Sequence, residues 1–319
     1  MLKIDYRAFI EDNFLIKNKS GEIVPFIFNE TQNFYYDLMV NDYGEELQGV
    51  RENILKFRQP GFSSLIDAIF TTDFIYSEQG KIPIIDADIV SAREKDTIVL
   101  FNRVSGFLDS WMVKWNVDRK EFLEIDSTTL MKGRRGAQMY VQTASAKVSG
   151  RGGTKQNIHW SEVAFYPNTE ILNANTLVLG AEQQVMDGVG KIFRETTGNT
   201  DVDFFAEEYF RGIEGLSEFK SRFLGWWLHK EYSKSPPVSW LMPSEYRKIH
   251  DMYGATAAQC YWHWYKITHS KDPELMKREY PTDETEAFIG DGTQYFDLML
   301  TNFYMDLLKK PIETNLIYV

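Results

Sequence analysis

The chain has 319 residues, enough for one large hydrophobic core or a core with a small subdomain. It is 43% hydrophobic and 25% charged, an ordinary composition for a globular protein, and its net charge of −11 excludes a protein that binds nucleic acid over its whole surface. A single cysteine, Cys260, rules out an intrachain disulfide and fits a reducing cytosolic compartment, while charges interrupt the first twenty residues and no run reaches the roughly 20 apolar residues of a membrane span.

In chain order, ENILKF (52–57) reads as a short strand, RQPGFSS (58–64) as a Pro- and Gly-containing turn, and the residues after it as a helix with Leu65, Ile66, Ile69 and Phe70 on one face. KIPIIDADIVSA (81–92) reads as a second strand and 93–111 as the helix that follows it. AQMYVQTA (137–144) alternates like a strand in a hairpin. QNIHW (156–160) is another strand, ILNANTLVLGAEQQVM (171–186) a helix and GKIFRET (190–196) a further strand. Strands alternating with helices predict an α/β fold with a mostly parallel sheet covered on both faces. Beyond about residue 230 the pattern changes. SPP at 235–237 marks a turn, and 244–269 is aromatic-rich and helical, which predicts a small second subdomain.

Against the acidic balance stands one basic run. Lys132, Arg134, Arg135, Lys147, Arg151 and Lys155 occur with no intervening Asp or Glu. The run reads either as solvated loops or as a surface facing phosphates. The strand–turn–helix at 52–64 bears on the same chemistry. A phosphate loop needs a strand, a Gly-rich turn that turns backbone N–H groups inward, and a helix whose N-terminus faces the anion. Against the usual GxxxxGK[ST] pattern, Gly61 and the hydroxyl of Ser63 are in place. Lys56 stands where the first glycine would be and Phe62 where the lysine would be. Lys56 and Arg58 are cations on the strand side of the turn, where they could still reach terminal phosphates.

RQPGFSS, read together with IHWSEVAFYP (158–167), resembles the large terminase family of tailed bacteriophages. Further pieces follow in the family's order: PFIFNETQ (25–32), SGRGGT (149–154), ETTGN (195–199), FLGWWLHKEY (223–232) and REYPTDETEAF (278–288). The resemblance covers about residues 25 to 290. It implies a P-loop NTPase core of the additional-strand, catalytic-glutamate type over residues 1–230, with an N-terminal adenine-binding segment. A helical lid and the start of a linker would occupy 231–319. It implies ATP and Mg²⁺ as cofactors, and double-stranded viral DNA, the portal protein of the procapsid and the small terminase subunit as partners, with self-association into a ring when docked. The setting would be the host cytoplasm. The family's metal-dependent nuclease domain would begin after the last of these pieces. Asp291, Asp297, Asp306 and Glu313 form no metal-site pattern, so no nuclease activity is expected of this chain.

The resemblance also implies residue roles. Glu162 would be the catalytic carboxylate that orients water for in-line attack. Ser161 replaces the aspartate that ordinarily precedes it and would weaken the second metal contact. Arg58, with Lys56 as second candidate, would bind the γ-phosphate, and Ser63, with Ser64 as fallback, would ligate Mg²⁺. Gln59, Pro60, Gly61 and Phe62 complete the loop. Gln32 and Phe26 would hold the adenine. Arg151 would act as an arginine finger in a neighbouring subunit, and Thr196, Thr197 and Asn199 would couple the site to the lid. His159 reads as a satisfied buried histidine, and the histidines show no zinc spacing. A helicase-like DNA-dependent ATPase and a non-hydrolysing capsid or DNA adaptor remain as alternatives.

Overall fold

The protein, seen here as a computed structural model, is described over residues 3–144, 154–167 and 174–288. It opens with helix α1 (Tyr6–Asn13), started by the Asp5 side chain, which accepts from Ala8 N. A small antiparallel hairpin of β1 (Leu15–Lys17) and β2 (Ile23–Pro25) follows, then α2 (Glu30–Tyr43). Next come β3 (Arg51–Lys56), α3 (Phe62–Glu78), β4 (Asp86–Ser91), α4 (Glu94–Trp115) and the short α5 (Arg119–Phe122). Strands β5 (Leu123–Asp126), β6 (Leu130–Gly133), β7 (Gln138–Thr143) and β8 (Asn157–Ser161) precede α6 (Ala174–Glu182) and β9 (Lys191–Thr196). Then follow α7 (Phe204–Ile213), β10 (Lys220–Leu224), α8 (Ser244–Tyr253), α9 (Ala257–Thr268), α10 (Pro273–Glu279) and α11 (Glu284–Ala287).

Eight strands form one sheet in the order β10-β3-β9-β8-β4-β7-β6-β5. The six from β10 to β7 run parallel, and β6 and β5 add an antiparallel edge. Every residue of β3, β8 and β9 is buried, as strands covered on both faces must be. Side chains alternate between two cores. Ile54 and Phe193 join Ile89, Val141 and the helices α1 to α4 in one. Leu55, Ile158, Trp160 and Ile192 face the other, with residues of α6 and α7. A third, aromatic cluster joins Phe57 and Trp226 to Tyr232, Tyr246, Ala255 and Cys260, with Trp262 and Tyr280 packed against it. Among the described residues, no helix is long and apolar enough to cross a membrane.

The expected alternation of strand and helix holds, with local differences. The second strand starts only at Asp86, after Pro83, which cannot donate to the ladder. The helix expected to end at 111 runs to Trp115 and closes on Asn116 in the left-handed region. The helical stretch 244–269 is two helices, broken at left-handed Gly254 and restarted by a capping box between Thr256 and Gln259. Strand β10, on the far side of β3, has no separate signal in the sequence. The first residues of the helix expected at 171–186 lie outside the described residues.

Candidate functional site

The C-terminal ends of β3, β8 and β9 open onto one cleft of about 610 Å³. Residues 58–61 line its floor. Gln59 (φ 59°) and Gly61 (φ 81°) both lie in the left-handed region, which turns the chain sharply from β3 into α3. The loop is braced from behind. Gln32 Nε2 donates to Gly61 O at 2.8 Å, and Asn29 Nδ2 donates to Pro60 O at 3.1 Å. Gln32 Oε1 in turn accepts from Asn29 N in the capping box of α2. From the other side, Arg58 N donates to Glu279 O and Tyr232 Oη donates to Arg58 O. These bonds take up loop carbonyls. The first-turn N–H groups of α3 have no intrahelical partner, and Phe62, Ser63 and Ser64 present that turn to the cleft. Such an end favours an anion.

An ionic network lies beneath. Lys56 Nζ bridges Glu162 Oε1 (2.8 Å) and Glu195 Oε2 (3.0 Å). Glu195 is fully buried at the end of β9, and its Oε1 accepts from Ser63 Oγ (2.7 Å) and Ser161 Oγ (2.8 Å). His159 stands behind them, with Nε2 3.3 Å from Glu195 Oε1 and Nδ1 2.9 Å from Asp67 Oδ1, and Arg103 pairs with Asp67 Oδ2 at 2.8 Å. Burial opposes the charge on Glu195, but the Lys56 ammonium and the His159 imidazole prevail and hold its carboxyl well below the usual range. Burial likewise opposes protonation of His159, yet Asp67 and Glu195 push it up to about 9. The histidine is thus a charged link between two carboxylates. Among the described residues, no group of three or more His, Cys, Asp or Glu is placed to hold a metal.

Glu162, just past the end of β8, lies in the left-handed region at φ 55°, which turns its carboxylate toward the cleft. There Oε2 accepts from Thr197 N at 3.1 Å and lies 3.4 Å from the hydroxyls of Thr196 and Thr197. Arg58 reaches the mouth of the cleft, where it pairs with Glu279 Oε2 at 2.9 Å.

Of the residues singled out in the sequence, Lys56, Arg58, Gln59, Pro60, Gly61, Phe62, Ser63, Ser64, Glu162 and Thr197 come together around the cleft. Ser161 and Thr196 lie just under it, bonded into the network. The Phe62 ring points away, buried edge-on against Tyr35. Gln32 braces the loop, and Phe26 is buried in the core, stacked on Phe107. Neither lines the cleft. Asn199 donates to Ala164 O. Arg151 lies outside the described residues, as do Lys147 and the four late carboxylates. The rest of the basic run does not form one surface. Lys132 pairs with Glu124, Arg134 donates to Lys120 O, and Lys155 is buried against Asp86 and Asp88.

Sequence reasoning missed Glu195, Asp67, Arg93, Arg103 and Glu279. One signal was present for Asp67: it lies four residues after Ser63 and so shares a helical face with it. Glu195 stood within a quoted motif, but its partners come from other strands.

A parallel sheet in which one strand, β9, separates the loop-bearing β3 from β8, with Glu162 just past the end of β8, has the topology of a P-loop NTPase fold of the additional-strand type. Solved structures of phage large terminases resemble it. The large terminase of bacteriophage HK97 matches with a TM-score of 0.54 and 13% identity, over 86% of this chain and 53% of that one. The chain therefore spans about half the length of that terminase. The large terminase ATPase domain of Thermus phage P74-26 matches with a TM-score of 0.46 and 14% identity, over 77% of this chain and 92% of that one. At 13% identity the likeness to the HK97 terminase establishes a shared fold. No protein-family model matches the sequence, and no curated protein matches it.

Proposed function

We propose that this chain is the ATP-hydrolysing motor domain of a phage large terminase, which drives double-stranded DNA into a preformed capsid. The observation that carries the reading is Glu162. Its carboxylate is held at the mouth of the phosphate loop by Lys56 and Thr197 N, across an intervening strand. The ordered resemblance of the motifs and the fold shared with a known terminase support the rest.

The residues fit a magnesium nucleotide. The Ser63 hydroxyl donates its hydrogen bond to Glu195, which leaves the lone pairs of its oxygen free for a cation. With no carboxylate cluster among the described residues, the metal would rest largely on phosphate oxygens and water, as Mg²⁺ usually does. When bound, Mg²⁺ neutralises charge building on the transferred phosphoryl group. Phe62, Ser63 and Ser64 offer N–H groups to the phosphates, and Lys56 supplies positive charge from the strand side. Glu162 orients the attacking water and accepts its proton. The Arg58–Glu279 pair is half exposed and so contributes only about 0–1 kcal/mol. Arg58 can therefore leave it for the γ-phosphate at little cost.

Residues 1–230 would form the motor core and 231–319 the lid and the start of a linker. Thr196, Thr197 and Asn199 would pass the state of the nucleotide to the lid. Arg151 would complete the site of a neighbouring subunit, in a ring assembled on the portal protein with the small terminase subunit delivering the DNA. The test is Mg²⁺-dependent ATP hydrolysis across a wide range of protein concentration. Turnover should rise faster than linearly with concentration, and Glu162→Gln should abolish it while nucleotide binding persists. Turnover retained in Glu162→Gln would overturn the catalytic assignment. Linear dependence with loss in the mutant would remove the role of Arg151 in a neighbour's site.

A further inference from the structure

Residue 161 is where a P-loop ATPase of this type ordinarily carries the aspartate that supports the metal, and here it is a serine. The charge is not missing from the site. In the parallel register of β8 and β9, Ser161 lies directly beside Glu195. The Glu195 side chain reaches across to that position, its Oε1 2.8 Å from Ser161 Oγ and 2.7 Å from Ser63 Oγ. A carboxylate can only accept, so both hydroxyls donate to it. The Ser63 oxygen is thereby both oriented and made more electron-rich. His159 behind and Lys56 beside it keep the carboxylate from rotating.

We propose that Glu195 replaces the missing aspartate: the carboxylate supporting the metal has moved from the end of β8 to the end of β9, and acts through Ser63. Glu195 is thus a positioning residue, not one that touches the phosphates. This inference rests on the nucleotide-binding reading of the site. It explains why Ser161 is tolerated, since a serine is the small donor that a neighbouring buried carboxylate needs. It also explains why Ser63, not Ser64, is the aligned hydroxyl.

The geometry predicts opposite outcomes for two placements of the carboxylate. The experiment titrates the whole chain with a fluorescent ADP, once with excess Mg²⁺ and once with EDTA, and reads the ratio of the two affinities. Hydrolysis plays no part in this readout. Glu195→Gln should lower the Mg²⁺ advantage, the ratio of the two affinities, by about 10- to 100-fold, the usual cost of losing a partner behind a metal ligand. Adding Ser161→Asp to Glu195→Gln should restore the advantage, because the carboxylate returns on the neighbouring strand. Ser161→Asp alone should reduce it, because two carboxylates would then face each other in a buried site. This last variant decides the matter even if Glu195→Gln fails to fold.

An unchanged Mg²⁺ advantage in Glu195→Gln would overturn the proposal, as would equal weakening with and without Mg²⁺. A gain in the advantage from Ser161→Asp alone would show the metal-supporting position to be vacant and would equally overturn it. In each of these cases the wild-type protein still binds Mg²⁺-nucleotide, so the parent reading stands. A wild-type protein that binds no nucleotide removes both.

Discussion

Lys56 and Phe62 stand at the two positions where the loop departs most from the usual phosphate-binding pattern. The side chains show how the site is rebuilt around them. The Phe62 ring fills the core against Tyr35, so a lysine there would bury its ammonium in an apolar pocket. Lys56 brings the cation in from the strand instead, and its buried ammonium lies between Glu162 and Glu195. Burial alone would depress its pKa, but the two carboxylates raise it well above the ordinary lysine range. Removing one member of a buried ionic group leaves the others uncompensated. Lys56→Met should therefore destabilise the fold by about 3–5 kcal/mol in denaturant unfolding. Loss of nucleotide binding with full stability retained would show that Lys56 serves the ligand alone.

Among the elements, β9 does the most to place the site. It separates β3 from β8 and carries Glu195 and Thr196 to its end, and Thr197 N follows to meet Glu162. Just past it, Gly198 lets α11 approach. A Cβ at Gly198 would lie 2.0 Å from Ala287 O, a backbone atom that cannot swing aside. Gly198→Ala should cost about 1–3 kcal/mol through overpacking and displace the segment that holds Glu162. Thermal unfolding and nucleotide affinity would both report it, and a neutral effect on both would show that α11 is not tied to this turn. The strand itself was legible, because KIFRET brings together β-favouring Ile192, Phe193 and Thr196 between turn residues Gly190 and Gly198. That its charged residues are buried was not, because a lone Glu or Arg in a strand ordinarily marks the solvent face. Arg194 is instead buried against Glu182 and Glu208, partners on two separate helices.

At the scale of the whole molecule, the sheet buries charged groups whose titration shapes global stability. His159 is held up to about 9 in the fold, against an ordinary value of 6.5. A group whose folded pKa is raised contributes stability that is full below its unfolded value and is lost as pH rises through the folded one. Its contribution should thus be complete at pH 6.5 and disappear by about pH 9. His263 acts in the opposite direction. Burial lowers it to about 4, so its contribution is present above 6.5 and is lost as pH falls through 4. The unfolding free energy should decline from pH 6.5 toward 9, and His159→Gln should flatten that slope. A slope unaltered in the mutant would assign it to other groups.

The sequence by itself determined the α/β alternation, the strand–turn–helix from β3 into α3, and a glutamate, Glu162, just past a buried strand. Each rests on a local pattern: apolar period, Pro and Gly at the turn, and a carboxylate after an apolar run. Tertiary structure alone decided the order of the strands, and with it which polar groups meet. Glu195 and Ser161 are 34 residues apart in the chain and become neighbours only because β9 pairs with β8. Gln32, read as a ligand contact, braces Gly61 from behind, since α2 docks against the loop. Local sequence sets which element forms, whereas a buried charge is placed by its partners, and those arrive from distant elements once the sheet has closed around them.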